Sequence, residues 1–75
     1  MKKLIEAEIM SAGHTKLKIE LVSGETIVGY SLGIMPLTDA YGEELEEEAM
    51  HFEAIEPDAY YRIKDQDIVK VEKAS

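Results

Sequence analysis

The chain has 75 residues, no cysteine and a formal net charge of −8. This length predicts a single small domain over residues 1–75, and the lack of cysteine excludes disulfides and thiolate metal sites. No apolar run approaches the ~20 residues that span a bilayer. The basic start MKKL is followed by Glu6 and Glu8 rather than by the apolar core of a secretory signal. We therefore expect a cytoplasmic protein that does not bind membranes.

The negative charge is concentrated in one window of the sequence. Between Asp39 and Asp58 there are 9 acidic residues and no Lys or Arg, which leaves 7 of the 16 acids against 8 bases elsewhere. Like charges repel one another and repel polyanions, so this window disfavours nucleic acid and favours a basic protein partner. The plainer alternative is a solvated loop that keeps a small domain soluble.

Residues 1–12 fit either a short helix or a strand. Leu4, Ile5 and Ile9 fall near one helical face, and Gly13 is a suitable C-terminal stop. Ile5, Ala7 and Ile9 also alternate as they would in a strand. We favour the helix, which is too short to be stable alone and must pack against a sheet.

The clearest local pattern runs from Lys16 to Tyr30 and predicts a β-hairpin. Apolar and charged residues alternate over a first strand at 15–22, which is typical of a half-buried strand. Ser23-Gly24 then predicts a two-residue turn. This turn would give the cross-strand pairs Leu21–Thr26, Ile19–Val28 and Leu17–Tyr30.

The second strand is predicted to start at Glu25 and to continue through Tyr30 to Met35. Gly29 and Gly33 lie inside it and indicate strong curvature, because glycine within a strand often marks a bulge or a bend. Pro36 should end the strand, since proline cannot donate to a ladder.

Residues 36–48 are predicted to form an exposed acidic loop. The segment GEELEEEAM contains good helix formers, but acids on neighbouring turns would oppose a helix. Three further strands follow in the sequence, at 49–56, 59–64 and 68–72. In the first of these, Met50, Phe52 and Ala54 would share one face. We therefore predict an all-β, five-stranded, SH3-like or Sm-like small barrel with the short N-terminal helix.

The first hairpin carries a family resemblance. Its sequence KLKIELVSGETIVG resembles the first Sm motif, in which alternating apolar residues lead to a turn glycine, here Gly24, with another five positions on, here Gly29. The segment IVKVE from Ile68 looks like the last strand of the second Sm motif. The resemblance covers about a third of the chain and implies an Sm-like barrel.

The residues that line the nucleotide pocket of RNA-binding Sm-like proteins are not matched here. Those proteins have an Asp and an Asn after the second strand, whereas this chain has TDAYGE there and no Asn at all. Lys64-Asp65 stands where their Arg-Gly pair would be. The size, the acidity and the LKIEL hairpin also resemble the small acidic Rho-inhibitor family, whose Sm-like barrel binds the terminator Rho through acidic residues.

These patterns predict a non-enzymatic interaction module. It would bind a protein partner through the acidic loop and an exposed strand edge. The candidate contact residues are Glu43, Glu44, Glu46, Glu47, Glu48 and Tyr61. The alternative is Sm-like RNA binding through a basic face of Lys16, Lys18, Arg62, Lys64, Lys70 and Lys73. We predict no catalytic residue, no cofactor and no metal site, because nucleophile and phosphate-loop patterns are missing and His14 and His51 lie on different elements.

The predicted core is Leu17, Ile19, Leu21, Val28, Phe52, Ile63, Ile68 and Val71, and Tyr30 is also expected to belong to it. The fourth and fifth strands are rich in β-formers and contain no proline, and an unpaired edge of that kind invites another chain. We therefore expect a homo-oligomer formed through strand edges, opposed by the net charge.

Overall fold

The computed structural model describes residues 2–74 and contains one α-helix and five strands. The elements are α1 (Lys3–Met10), β1 (Leu17–Leu21), β2 (Thr26–Thr38), β3 (Glu44–Glu56), β4 (Asp58–Ile63), a 3-10 turn (Asp65–Asp67) and β5 (Ile68–Lys73). The strands form one antiparallel sheet in the order β4-β3-β2-β1-β5. The mainly β fold with a short N-terminal helix is thus confirmed, while the sheet is open rather than closed into a barrel. Within residues 2–74, no helix is both long and apolar enough to cross a bilayer.

The helix α1 packs on β5 and β2. A helix of 8 residues is not stable alone in water and needs such packing. Leu4 and Ala7 face the core, whereas Ile5 and Ile9 are 45% and 62% exposed. The start of the helix is tied to the 3-10 turn, because the Leu4 N–H donates to Asp65 Oδ1 at 3.1 Å. The predicted helix is therefore confirmed. The residues that face the sheet are Leu4 and Ala7, and not Ile5 or Ile9.

The predicted pairing of the first hairpin is wrong by one residue. Leu17 pairs with Gly29 and Ile19 pairs with Ile27. The reason lies in the turn, where the Leu21 N–H donates to Glu25 O at 2.8 Å and the Gly24 N–H donates to Leu21 O at 2.9 Å. This is a three-residue turn with Gly24 at φ +93°, not a two-residue one.

The shifted pairing changes which residues of β2 enter the core. Ile27 is fully buried, whereas Val28 is half-buried, so the predicted burial of Val28 is wrong. Tyr30 is also only half-buried, and its ring stacks on His14 at 4.4 Å between centroids. A one-residue slip reverses every side chain of a strand, because successive side chains point to opposite faces.

Most of the predicted core is confirmed. The side chains of Leu17, Ile19, Phe52, Ile63 and Ile68 are buried, and Leu21 and Val71 pack against them partly exposed. The sequence analysis assigned Met50, Phe52 and Ala54 to one face of the third strand, and all three are buried.

The pairing of β2 is irregular at the two glycines within it. It shifts relative to β3 between Val28 and Gly29 and again between Ser31 and Gly33, which leaves Leu32 as an extra residue. A third shift lies between Pro36 and Thr38. Gly33 has φ +117°, a backbone conformation that other residues rarely adopt.

The predicted loop at 36–48 is mostly strand, and Pro36 does not end β2. Pro36 pairs with Glu48 and Thr38 pairs with Glu44, so only the turn between Thr38 and Glu44 separates β2 from β3. An extended strand points successive acids to opposite faces, whereas a helix would bring acids three and four apart together. The repulsion between neighbouring acidic side chains is therefore weaker in a strand than in a helix.

Candidate functional site

The β2–β3 hairpin extends beyond the rest of the sheet as a two-stranded ribbon. The last pair of β1 with β2 is Leu17–Gly29, and β4 reaches only as far as the pair Met50–Ile63. We call residues 35–48 the acidic arm. Every residue of the arm is exposed except Leu37, which is half-buried.

The tip of the acidic arm is an ordered turn built around Asp39. Its carboxylate Oδ1 accepts the Tyr41 N–H at 2.8 Å and the Glu43 N–H at 3.0 Å. The Asp39 N–H donates to Glu43 O, and Gly42 takes φ +82°. Tyr41 stands at this tip with 92% of its surface exposed. The turn thus presents a free aromatic ring beside acidic residues.

The five glutamates predicted as contact residues all lie on the arm. Glu43 is in the tip turn, and Glu44, Glu46, Glu47 and Glu48 follow on β3. All five are exposed. Among the described residues, the arm has one ion pair, between Glu47 and Lys64 at 3.2 Å. The remaining carboxylates therefore present their charge to solvent.

A groove of about 290 Å³ lies between the arm and the helix end of the molecule. On the arm side it is lined by Glu46, Glu47 and Glu48, and on the other side by Lys2, Lys64, Asp65 and the exposed Ile5. The groove therefore combines acidic groups with apolar surface.

Tyr61 is not brought together with the five glutamates. Its ring is half-buried against the core, and its hydroxyl donates to Glu25 Oε2 at 3.1 Å in the β1–β2 connection. Partial burial, the hydrogen bond to Glu25 and the charge of Glu25 raise the pKa of Tyr61 above its ordinary value. The more exposed ring of the pair is Tyr60, which is 55% exposed and hydrogen-bonded through its hydroxyl to His51 Nδ1.

The six basic residues of the alternative proposal do not form one face. Lys16 and Lys18 line a shallow groove with Lys73, whereas Arg62 and Lys64 belong to the other edge of the sheet. Acids accompany several of them, because Lys18 and Lys70 both lie 3.8 Å from Glu72, and Lys64 pairs with Glu47.

Neither histidine lies in a cluster that resembles a metal site. His14 stacks on Tyr30, and His51 contacts Tyr60. In residues 2–74, no group of three or more His, Cys, Asp or Glu side chains is arranged to hold an ion.

The arm was not predicted, although the sequence contains a turn pattern that indicates it. The segments LVSGE at 21–25 and DAYGE at 39–43 form the same turn, with hydrogen bonds between first and fifth residues and a positive-φ glycine in fourth place. Gly42-Glu43 follows the same pattern as Gly24-Glu25, and it would therefore have predicted a second hairpin with its turn at Gly42.

Comparisons with known proteins add no family assignment. No family model, curated protein or solved structure matches this chain significantly.

Proposed function

We propose that this protein is a non-enzymatic interaction module that binds a basic protein partner. The acidic arm supplies the main contact surface. The observation that carries the proposal is its set of exposed carboxylates, which make one ion pair within residues 2–74. A projecting ribbon of one charge attracts oppositely charged proteins and speeds their association. An exposed strand edge is the further contact, and the cytoplasm is the proposed location.

We also propose that this open, five-stranded sheet is related to the Sm-like or SH3-like small barrels. The helix, the five strands and the glycine-hinged β2 support this assignment. One contact joins parts of the sheet that are not neighbours, because the hydroxyl of Tyr61 on the edge strand β4 donates to Glu25, which immediately precedes β2.

Partner capture with charge-matched variants tests the function. The arm variant replaces Glu43, Glu44, Glu46 and Glu48 with Gln. The control variant replaces Glu20, Glu53, Glu56 and Asp58 with the corresponding amides, so both variants lose four negative charges. Immobilised proteins are exposed to lysate at low and physiological salt, and captured proteins are identified and quantified.

We expect wild type and control to retain the same basic protein and the arm variant to lose it. Capture should weaken as salt rises, because exposed charges are screened over about 10 Å at 0.1 M salt. A partner retained equally by both variants, or one insensitive to salt, would contradict binding through the arm.

RNA binding is the second candidate function. The groove lined by Lys16, Lys18 and Lys73 is the observation that favours it. A labelled single-stranded RNA should then bind at low salt and dissociate steeply as salt rises. Lys16→Glu with Lys73→Glu should abolish that binding, and no binding by wild type at low salt would eliminate the candidate.

A further inference from the structure

The acidic arm has two strand edges without a neighbouring strand. Beyond the pair Leu17–Gly29 no β1 residue lies beside β2, and beyond the pair Met50–Ile63 no β4 residue lies beside β3. The unpaired N–H and C=O groups of such an edge are a template for another strand.

The two edges differ in their ability to accept a strand. The β2 edge carries Pro36, which has no N–H and is a common device for blocking edge pairing. The β3 segment from Glu44 to Ala49 has no proline. Strand addition is therefore favoured on the β3 side of the arm.

The groove beside the arm follows this β3 edge. Glu46, Glu47 and Glu48 are consecutive residues, and all three line it. The pairing of the arm shifts between Pro36 and Thr38, so residues 45–47 of β3 lie opposite Leu37 alone. This bulged stretch of the β3 edge is the part that lines the groove. Ile5 of α1 and Ile34 of β2 supply apolar surface to the groove.

The charge of the groove favours a basic strand over a second copy of this chain. A second copy of this chain would place the same glutamates against each other, and like charges directly opposite are destabilising in a sheet. A basic strand would instead face Glu46 and Glu48, which have no ion-pair partner among the described residues.

We propose that the β3 edge of the acidic arm binds an extended segment with alternating basic and apolar residues by strand addition. The basic side chains meet the glutamates, and apolar side chains contact Ile5 and Ile34. This inference rests on the proposed function and specifies the form in which the basic partner is recognised.

The probe is a capped ten-residue peptide of alternating Lys and Val, with a Glu and Val peptide as its charge-reversed control. Two further versions carry backbone N-methyl groups, one on every Lys and the other on every Val. Only alternate residues of an added strand hydrogen-bond to the edge. One N-methylated version should therefore bind at least about tenfold more weakly, and the other within about threefold of the parent.

Binding is followed by fluorescence anisotropy, and NMR hydrogen exchange locates the contact. Amides of residues 44–48 should gain protection when the Lys and Val peptide binds. Glu46→Gln with Glu48→Gln should weaken binding several-fold, whereas the charge-matched control Glu20→Gln with Glu53→Gln should leave it within about twofold.

Equal binding of the two N-methylated peptides, or no protection at 44–48, would overturn strand addition. The proposed function would then survive as recognition by charge alone. Failure of the Lys and Val peptide to bind at low salt would also overturn the inference. The proposed function fails separately, if lysate capture does not depend on the arm glutamates.

Discussion

Gly29 lies so close to β3 that a Cβ atom built on it would be 2.1 Å from the backbone oxygen of Glu53. The same atom would be 2.6 Å from the Ala54 Cα. Backbone atoms cannot move aside as a flexible side chain can. Gly29 is therefore required for the close contact of β2 and β3 at the bend, where their pairing shifts.

Gly29→Ala should strongly destabilise the protein. Overpacking typically costs 1–3 kcal/mol and often more against backbone, in a domain whose total stability is about 5 kcal/mol or slightly above. Gly24→Ala is the control, because Gly24 has open space around it and only the strain of φ +93°. In urea unfolding, the free energy of unfolding of Gly29→Ala should be well below that of Gly24→Ala. Equal losses of stability in the two variants would show that β2 and β3 can move apart at no cost in free energy.

Ile19→Ala should lower the free energy of unfolding by about 2–5 kcal/mol, because it leaves a cavity in the core. Ile19 is completely buried, whereas the control Leu32→Ala changes a side chain that is 48% exposed. If Ile19→Ala does not fold, Ile19→Val provides a smaller change of about 0.5–1.5 kcal/mol. An unchanged melting temperature for both Ile19 variants would contradict the burial of this face of β1.

The raised pKa of Tyr61 predicts a loss of stability at alkaline pH. Partial burial and the hydrogen bond to Glu25 favour the neutral phenol, so the folded pKa lies above the unfolded value of 10.0. The stability due to this shift is fully present below pH 10 and is lost as pH rises through the folded pKa. Tyr61→Phe should remove that component of the pH dependence.

The measurement is a spectrophotometric titration of tyrosinate in wild type and Tyr61→Phe. The difference between the two curves should have its midpoint above pH 10.0. Glu25→Gln should move the midpoint downward, because it removes the negative charge. A difference curve centred at or below the ordinary value would contradict the contact between Tyr61 and Glu25.

We predict a homo-oligomer formed through the open edges of β4 and β5, which are the outer strands of the sheet. Light scattering at physiological salt should give a mass above 8.4 kDa. Higher salt should strengthen assembly, because it screens the repulsion between acidic copies. Val69→Lys on β5 should weaken assembly, while Val22→Lys in the β1–β2 connection makes the same charge change away from both edges.

A mass near 8.4 kDa at micromolar concentration would refute this prediction. Equal weakening by Val69→Lys and Val22→Lys would attribute assembly to net charge rather than to the strand edges.

Local patterns predicted much of the fold. The alternation of Leu17 and Ile19 with lysines identified β1 and its buried face, and the apolar spacing of Met50, Phe52 and Ala54 identified the core segment of β3. Gly29 and Gly33 marked the bends of β2. Each of these signals is contained in a few neighbouring residues.

The register and the arm were not predictable in the same way. A difference of one residue in the turn at Gly24 exchanged Val28 for Ile27 in the core. Pro36 and the glutamate run predicted a loop, yet cross-strand pairing extends β2 to Thr38 and starts β3 at Glu44.

The sequence by itself determined a small, acidic, mainly β protein with a short helix, because alternation and charge are properties of adjacent residues. Only the tertiary structure decided that the glutamates stand along an open strand edge, that Ile5 faces them across a groove, and that Tyr61 is tied to Glu25 instead. These relationships join residues far apart in the chain. They depend on where β4 stops and how the helix packs, which no local pattern encodes.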